Sequence, residues 1–215
     1  TLSNINAKII NKSANEFLLQ NLVIQDKLVH FNGDLYLDLL GSWGLSGQFS
    51  SDDYAKLLGK ISVNNYLAYA SGDGALNIYG EFDNESSWFK KTQGELVLNL
   101  KDGSINVEND LILSKLDIGK LVTMLSPESI LHKLSFNFND LFSSGLYFDV
   151  LHIDLGVSDN LVKLNSVWLD SSVVKIDLNG VVNLLNNFVD VLVGVRPKLT
   201  SSLPALAALS LGAPF

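Results

Sequence analysis

Aliphatic residues take every second position through long stretches of the chain, most plainly between Gly145 and Leu199. Val189, Val191, Val193 and Val195 alternate with other residues, and Val174, Ile176 and Leu178 alternate with Lys175, Asp177 and Asn179. A period of two sends successive side chains to opposite faces of a strand, so the stretch predicts strands with one apolar and one polar face. The pattern recurs in Ile5, Ala7 and Ile9, in 17–24, in Leu35, Leu37 and Leu39, and in Leu76, Ile78 and Phe82. It continues in Leu96, Leu98 and Leu100, in Leu134, Phe136 and Phe138, and in Leu151, Ile153 and Leu155. The fold class expected is mainly β: an antiparallel sheet whose apolar face must be covered, with a few short helices.

Glycine, asparagine and aspartate predict where the strands end. Asn32-Gly33 is a type I′ hairpin signal, and Gly72-Asp73-Gly74, Asp102-Gly103, Asp159-Asn160, Asn179-Gly180 and Asn186-Asn187 read as further turns. Three glycines between Gly41 and Gly47 flank Trp43 and suggest a bend or bulge. Ser50 to Asp53 offers a helix N-cap, with a short helix from Tyr54 to Leu58 closed by Gly59. The period lengthens to about 3.6 where Ile118, Leu121, Val122 and Leu125 follow Asp117, and Ser126-Pro127-Glu128 starts another helix. Pro204 lies in a terminal apolar helix at about 203–211, too short to span a bilayer.

At 215 residues one β domain covering 1–215 is expected, because sandwiches and barrels reach this length undivided. The hydrophobic content of 47% and mean hydropathy of +0.23 are high, yet no apolar run approaches the roughly 18 residues of a membrane helix. With no leader pattern at its start and an abrupt end at Phe215, the chain is expected to be a piece of a longer one. A net charge of −8 and Arg196 as sole arginine argue against nucleic acid as partner, since phosphate binding needs clustered Lys and Arg. The absence of cysteine removes disulfides and thiol chemistry.

Catalytic constellations find no anchor. His30, His132 and His152 are far apart; His152 and Asp154 share a strand face but make only half a metal site, so no metal is expected. Asp52 and Asp53 read as helix-dipole partners, and Asp149, Asp154, Asp170 and Asp177 as the polar phase of strands, not as a glycosidase pair. No Gly-x-Ser-x-Gly elbow or nucleotide loop occurs, and the expectation is a non-enzyme without cofactor. Trp43, Trp88, Trp168 and the tyrosines are scattered, which favours packing over a sugar platform.

From about residue 41 onward the order of features resembles the C-terminal region of AsmA-like envelope proteins of the YhdP branch. The resemblance is carried by Ser51-Asp52-Asp53-Tyr54-Ala55-Lys56-Leu57-Leu58, by Gly94-Glu95-Leu96 leading to Lys101-Asp102-Gly103, and by Lys133 to Phe142. It continues in Ser144-Gly145-Leu146-Tyr147-Phe148-Asp149, in Ile176 to Gly180, and in Val195-Arg196-Pro197-Lys198-Leu199 through Pro204. The family is similar to bridge-like lipid transfer proteins, and the resemblance implies a taco-like curved sheet around an apolar groove. It implies phospholipid acyl chains as partners, and movement of phospholipid between inner and outer membranes across the Gram-negative periplasm. It also implies a parent chain anchored in the inner membrane that reaches both membranes through its other parts. No catalytic residues accompany it.

Candidate groove residues, taken from the apolar phase, are Leu96, Leu98, Leu100, Leu151, Ile153, Leu155, Val174, Ile176, Leu178, Val189, Val191, Val193 and Val195. Alternation alone does not separate a lipid groove from a closed β-sandwich, a binding or scaffold module of the envelope, in which the same residues pack on each other.

Overall fold

A computed structural model describes residues 4–60, 67–82, 91–105, 146–186 and 188–198. The helices expected near Asp117, Pro127 and Pro204, and the strand at Leu134 to Phe138, lie outside the described residues. Ten strands are seen: β1 Asn4–Asn11, β2 Glu16–Gln25, β3 His30–Asp38, β4 Ser42–Ser51, β5 Leu67–Glu81, β6 Gln93–Ile105, β7 Leu146–Ser158, β8 Leu161–Asp170, β9 Val174–Asn183 and β10 Phe188–Pro197. They form one antiparallel sheet in which each strand pairs with its sequence neighbours, from β1 at one edge to β10 at the other. Among the described residues this is a single open layer, not the two packed sheets of a sandwich.

One face of that layer is nonetheless buried. Val182 is 0% and Leu164 1% exposed, both on the apolar face, while Lys163 and Asn165 on either side of Leu164 are exposed. The sheet curves over its apolar side, so that side chains of β4 to β10 pack on one another in two clusters. Burial fades toward the first edge, where Ile5 and Ile9 are 54% and 70% exposed.

Several predicted turns are strand interior. β3 runs straight through Asn32-Gly33, β5 through Gly72-Asp73-Gly74, β6 through Asp102-Gly103, and β9 through Asn179-Gly180. The physical reason is close approach across the sheet. Gly33 and Gly47 face each other in register, and a Cβ on Gly33 would stand 2.0 Å from the Ser46 carbonyl oxygen. The Phe31 ring covers the pair, its Cζ being 2.8 Å from a Cβ built on either. Glycine here serves the packing of a strand face, not the reversal of the chain. Asp159-Asn160 does turn the chain between β7 and β8, with Asp159 at φ 54°. Gly41 also belongs to a turn, between β3 and β4, and β4 then continues through Gly44 and Gly47.

The one described helix, α1 Tyr54–Lys60, takes in Gly59 in place of ending at it. Asp53 is its N-cap: its carboxylate accepts from the Lys56 amide at 3.0 Å and pairs with the Lys56 ammonium at 2.8 Å. The hydrogen bond from the Lys56 side chain, then that from its amide, hold the Asp53 carboxyl below its ordinary value. A depressed acid stabilises the fold above its unfolded value of 3.8 and withdraws that stability as pH falls through the folded value. Asp53→Asn is therefore expected to keep the cap and flatten the acid limb of an unfolding curve below about pH 4. Asp53→Ala is expected to cost about 1 kcal/mol in urea titrations at neutral pH.

Candidate functional site

Because directly paired residues share a face, the registers define what the buried side of the sheet presents. Four rows cross it. The row nearest α1 runs Ser51, Gly72, Leu100, Leu151, Leu169, Ile176, Val195. The next runs Phe31, Phe49, Gly74, Leu98, Ile153, Val167, Leu178, Val193. A third runs Gly33, Gly47, Leu76, Leu96, Leu155, Leu164, Gly180, Val191, and a fourth Leu35, Leu45, Ile78, Gly94, Val157, Val162, Val182, Val189. No charged residue occupies any of these positions, and Ser51 is the one polar residue. At about 3.3 Å per residue the four rows cover about 20 Å along the strands, somewhat more than the roughly 15 Å of one leaflet's hydrocarbon.

All thirteen candidate groove residues lie on this one face, with Val174 beside the first row. Leu100, Leu151 and Val174 are buried in the cluster beneath α1, with Leu98, Ile153, Ile176 and Val195 packed against it. Leu155 is buried in the second cluster, against which Leu96, Leu178, Val189 and Val191 pack. Val193 is half-buried. Sequence reasoning placed strands through this stretch but named no groove residue on β8, whose Val162 and Leu164 keep one phase and Val167 and Leu169 the other. An irregularity at Asn165-Ser166 inserts one residue and swaps the phase, so strict alternation does not assign both pairs to one face. Tyr54, Leu146 and Phe148, all buried in the first cluster, were missed as well.

The opposite face is polar and follows one ladder. Asp73, Asn99, His152 and Trp168 stand side by side on β5 to β8. Asn99 donates to Asp73 at 3.4 Å, its amide oxygen lies 2.8 Å from His152 Nδ1, and His152 stacks on Trp168 with centroids 5.4 Å apart. Lys175 places its ammonium 5.1 Å from the Trp168 ring. Asp154 accepts from Asn165 at 3.1 Å. His152 and Asp154 thus sit in cross-strand pairs, and among the described residues no group of three or more metal-ligating side chains converges.

The two rims of the sheet differ. The turns joining β3 to β4, β7 to β8 and β9 to β10, together with the end of β5, leave Leu39, Leu40, Phe82, Leu161, Leu185 and Phe188 exposed along one rim. That rim also carries the Lys91–Glu81 ion pair. Among the described residues the α1 rim carries three: Lys60–Asp26, Lys56–Asp53 and Lys198–Asp170.

A family model described as YhdP protein matches residues 1–215, the first forty included. The chain belongs to the YhdP family. It is 27% identical over 92 residues to the intermembrane phospholipid transporter YhdP of Escherichia coli (strain K12). That alignment covers 43% of this chain and 7% of the relative, so the chain spans a small part of the transporter's length. No solved structure matches. No described helix is long and apolar enough to cross a membrane. The YhdP family thus joins a phospholipid transporter to a chain whose sheet presents an uncharged apolar face across its strands.

Proposed function

We propose that residues 1–215 form one segment of a periplasmic lipid conduit in which the curved apolar face shields phospholipid acyl chains between inner and outer membranes. The observation that carries this reading is the run of charge-free rows from β3 to β10. Exposing an acyl chain of about 16 carbons to water costs on the order of 12 kcal/mol, at about 0.8 kcal/mol per CH₂. Leucine, isoleucine and valine on the trough offset most of that, so a lipid exchanges between bilayer and protein at little net cost. Movement along a conduit requires such non-specific contact. With arginine confined to Arg196, which pairs with Asp177 on the polar face, headgroups stay in water and are not clamped.

The role is non-catalytic and needs neither metal nor cofactor; the parent chain, anchored in the inner membrane, supplies contacts with both bilayers. Native mass spectrometry of gently purified protein is expected to show bound phospholipid, and the protein is expected to take up a fluorescent phospholipid from vesicles. Lipid-free protein that takes up none would return the chain to the scaffold reading.

A further inference from the structure

Most polar side-chain atoms buried in this fold have partners. Two buried donors among the described residues do not: the Trp43 indole N–H and the Tyr54 hydroxyl. Trp43 is half-buried, whereas Tyr54 is 4% exposed and packed among Ala70, Leu100, Phe148, Leu151 and Val174. Its ring meets Phe49 edge to face at 6.5 Å. A phenylalanine would fill the same volume without the penalty of an unmet hydroxyl, and none of the described residues supplies that hydroxyl with an acceptor.

We infer that Tyr54 is a lipid-positioning residue whose hydroxyl donates to an ester carbonyl of a glycerolipid lodged beneath α1. The inference rests on the conduit reading and adds an orientation to it. Tyr54 stands where the apolar rows give way to the rim carrying Asp26, Lys60, Asp53 and Lys56. In a lipid the ester groups occupy the corresponding level, between hydrocarbon and charged headgroup. Tails then run along the strands toward the leucine- and phenylalanine-bearing rim.

Burial, with the Asp73 carboxylate nearby adding to it, pushes the Tyr54 hydroxyl up to about 12, so it remains a donor at any physiological pH. Access requires α1 to move. The helix has seven residues, packs on β5, and is tied to the β2–β3 turn by the Lys60–Asp26 pair, whose lysine end is open to solvent.

The test crosses two changes: Tyr54→Phe in the protein, and diester against diether phosphatidylethanolamine of equal chain length in the vesicles. Wild-type protein is expected to retain the diester lipid about 3- to 10-fold better than the diether, as one neutral hydrogen bond allows, and Tyr54→Phe to hold both equally. Lipid-free Tyr54→Phe is expected to melt at the same or a higher temperature than wild type. Equal retention of both lipids by wild type and variant would overturn the role of Tyr54 while leaving the conduit intact. Failure of wild type to take up either lipid would overturn both.

Discussion

Leu164→Asp is expected to leave the chain unfolded at 25 °C, with the far-ultraviolet β signal and cooperative melt both lost. Leu164 is 1% exposed and sits in the middle of β8, between Leu155 of β7 and Gly180 of β9. Removing the leucine forfeits about 2–3 kcal/mol of burial. The carboxylate that replaces it finds no cation on that face and adds several kcal/mol more, whether it stays charged or takes up a proton. Together these approach the 5–15 kcal/mol that holds a typical domain. Val193→Asp makes the same chemical change on the same face with a different result. Val193 is half-buried on the edge strand β10, so its carboxylate reaches water and the cost falls to about 1 kcal/mol. That variant is expected to stay folded and to lose most fluorescent-phospholipid uptake. If Val193→Asp unfolded as Leu164→Asp does, the face would be a closed core throughout.

The contrast between these sites also marks what sequence can supply. Alternation finds strands whose two faces meet different solvents, which is why the thirteen candidate positions fall on one face. It fails where the backbone changes phase. In β8, Val162 and Leu164 precede the irregularity and Val167 and Leu169 follow it, so neither phase alone assigns the strand's apolar residues to the buried face. Glycine misled in a different way. Asn32-Gly33 and Asn179-Gly180 satisfy the local rule for a hairpin, but what demands glycine there is the backbone of the paired neighbouring strand. Tyr54 was visible as the start of a helix, and its burial against Leu100 and Leu151 follows from where β5 places that helix. How strongly the sheet curves is likewise a property of cross-strand packing, which periodicity does not encode.

Gly180 supplies the second large effect. It occupies the trough between Leu164 and Val191 with φ +149°, a conformation that side-chain-bearing residues rarely adopt. A Cβ there would stand 2.1 Å from the Asp190 carbonyl oxygen and 2.7 Å from the Val191 Cα. Both are backbone atoms of the paired strand, so relief means pulling β10 away from β9. Gly180→Ala is expected to cost about 3 kcal/mol or more, read as a lower urea midpoint. Gly194, on the opposite face of the same strand pair, provides the matched comparison. Its Cβ would find Asp177 atoms no nearer than 3.8 Å, ordinary contact, at a residue without positive φ. Gly194→Ala is expected to change stability by no more than about 0.5 kcal/mol, or to raise it slightly as the unfolded chain loses freedom. Equal effects at the two positions would mean that Gly180 is not needed for close approach. A large difference, accompanied by lost lipid uptake in Gly180→Ala alone, would tie the curvature of the trough to the glycines on its inner face.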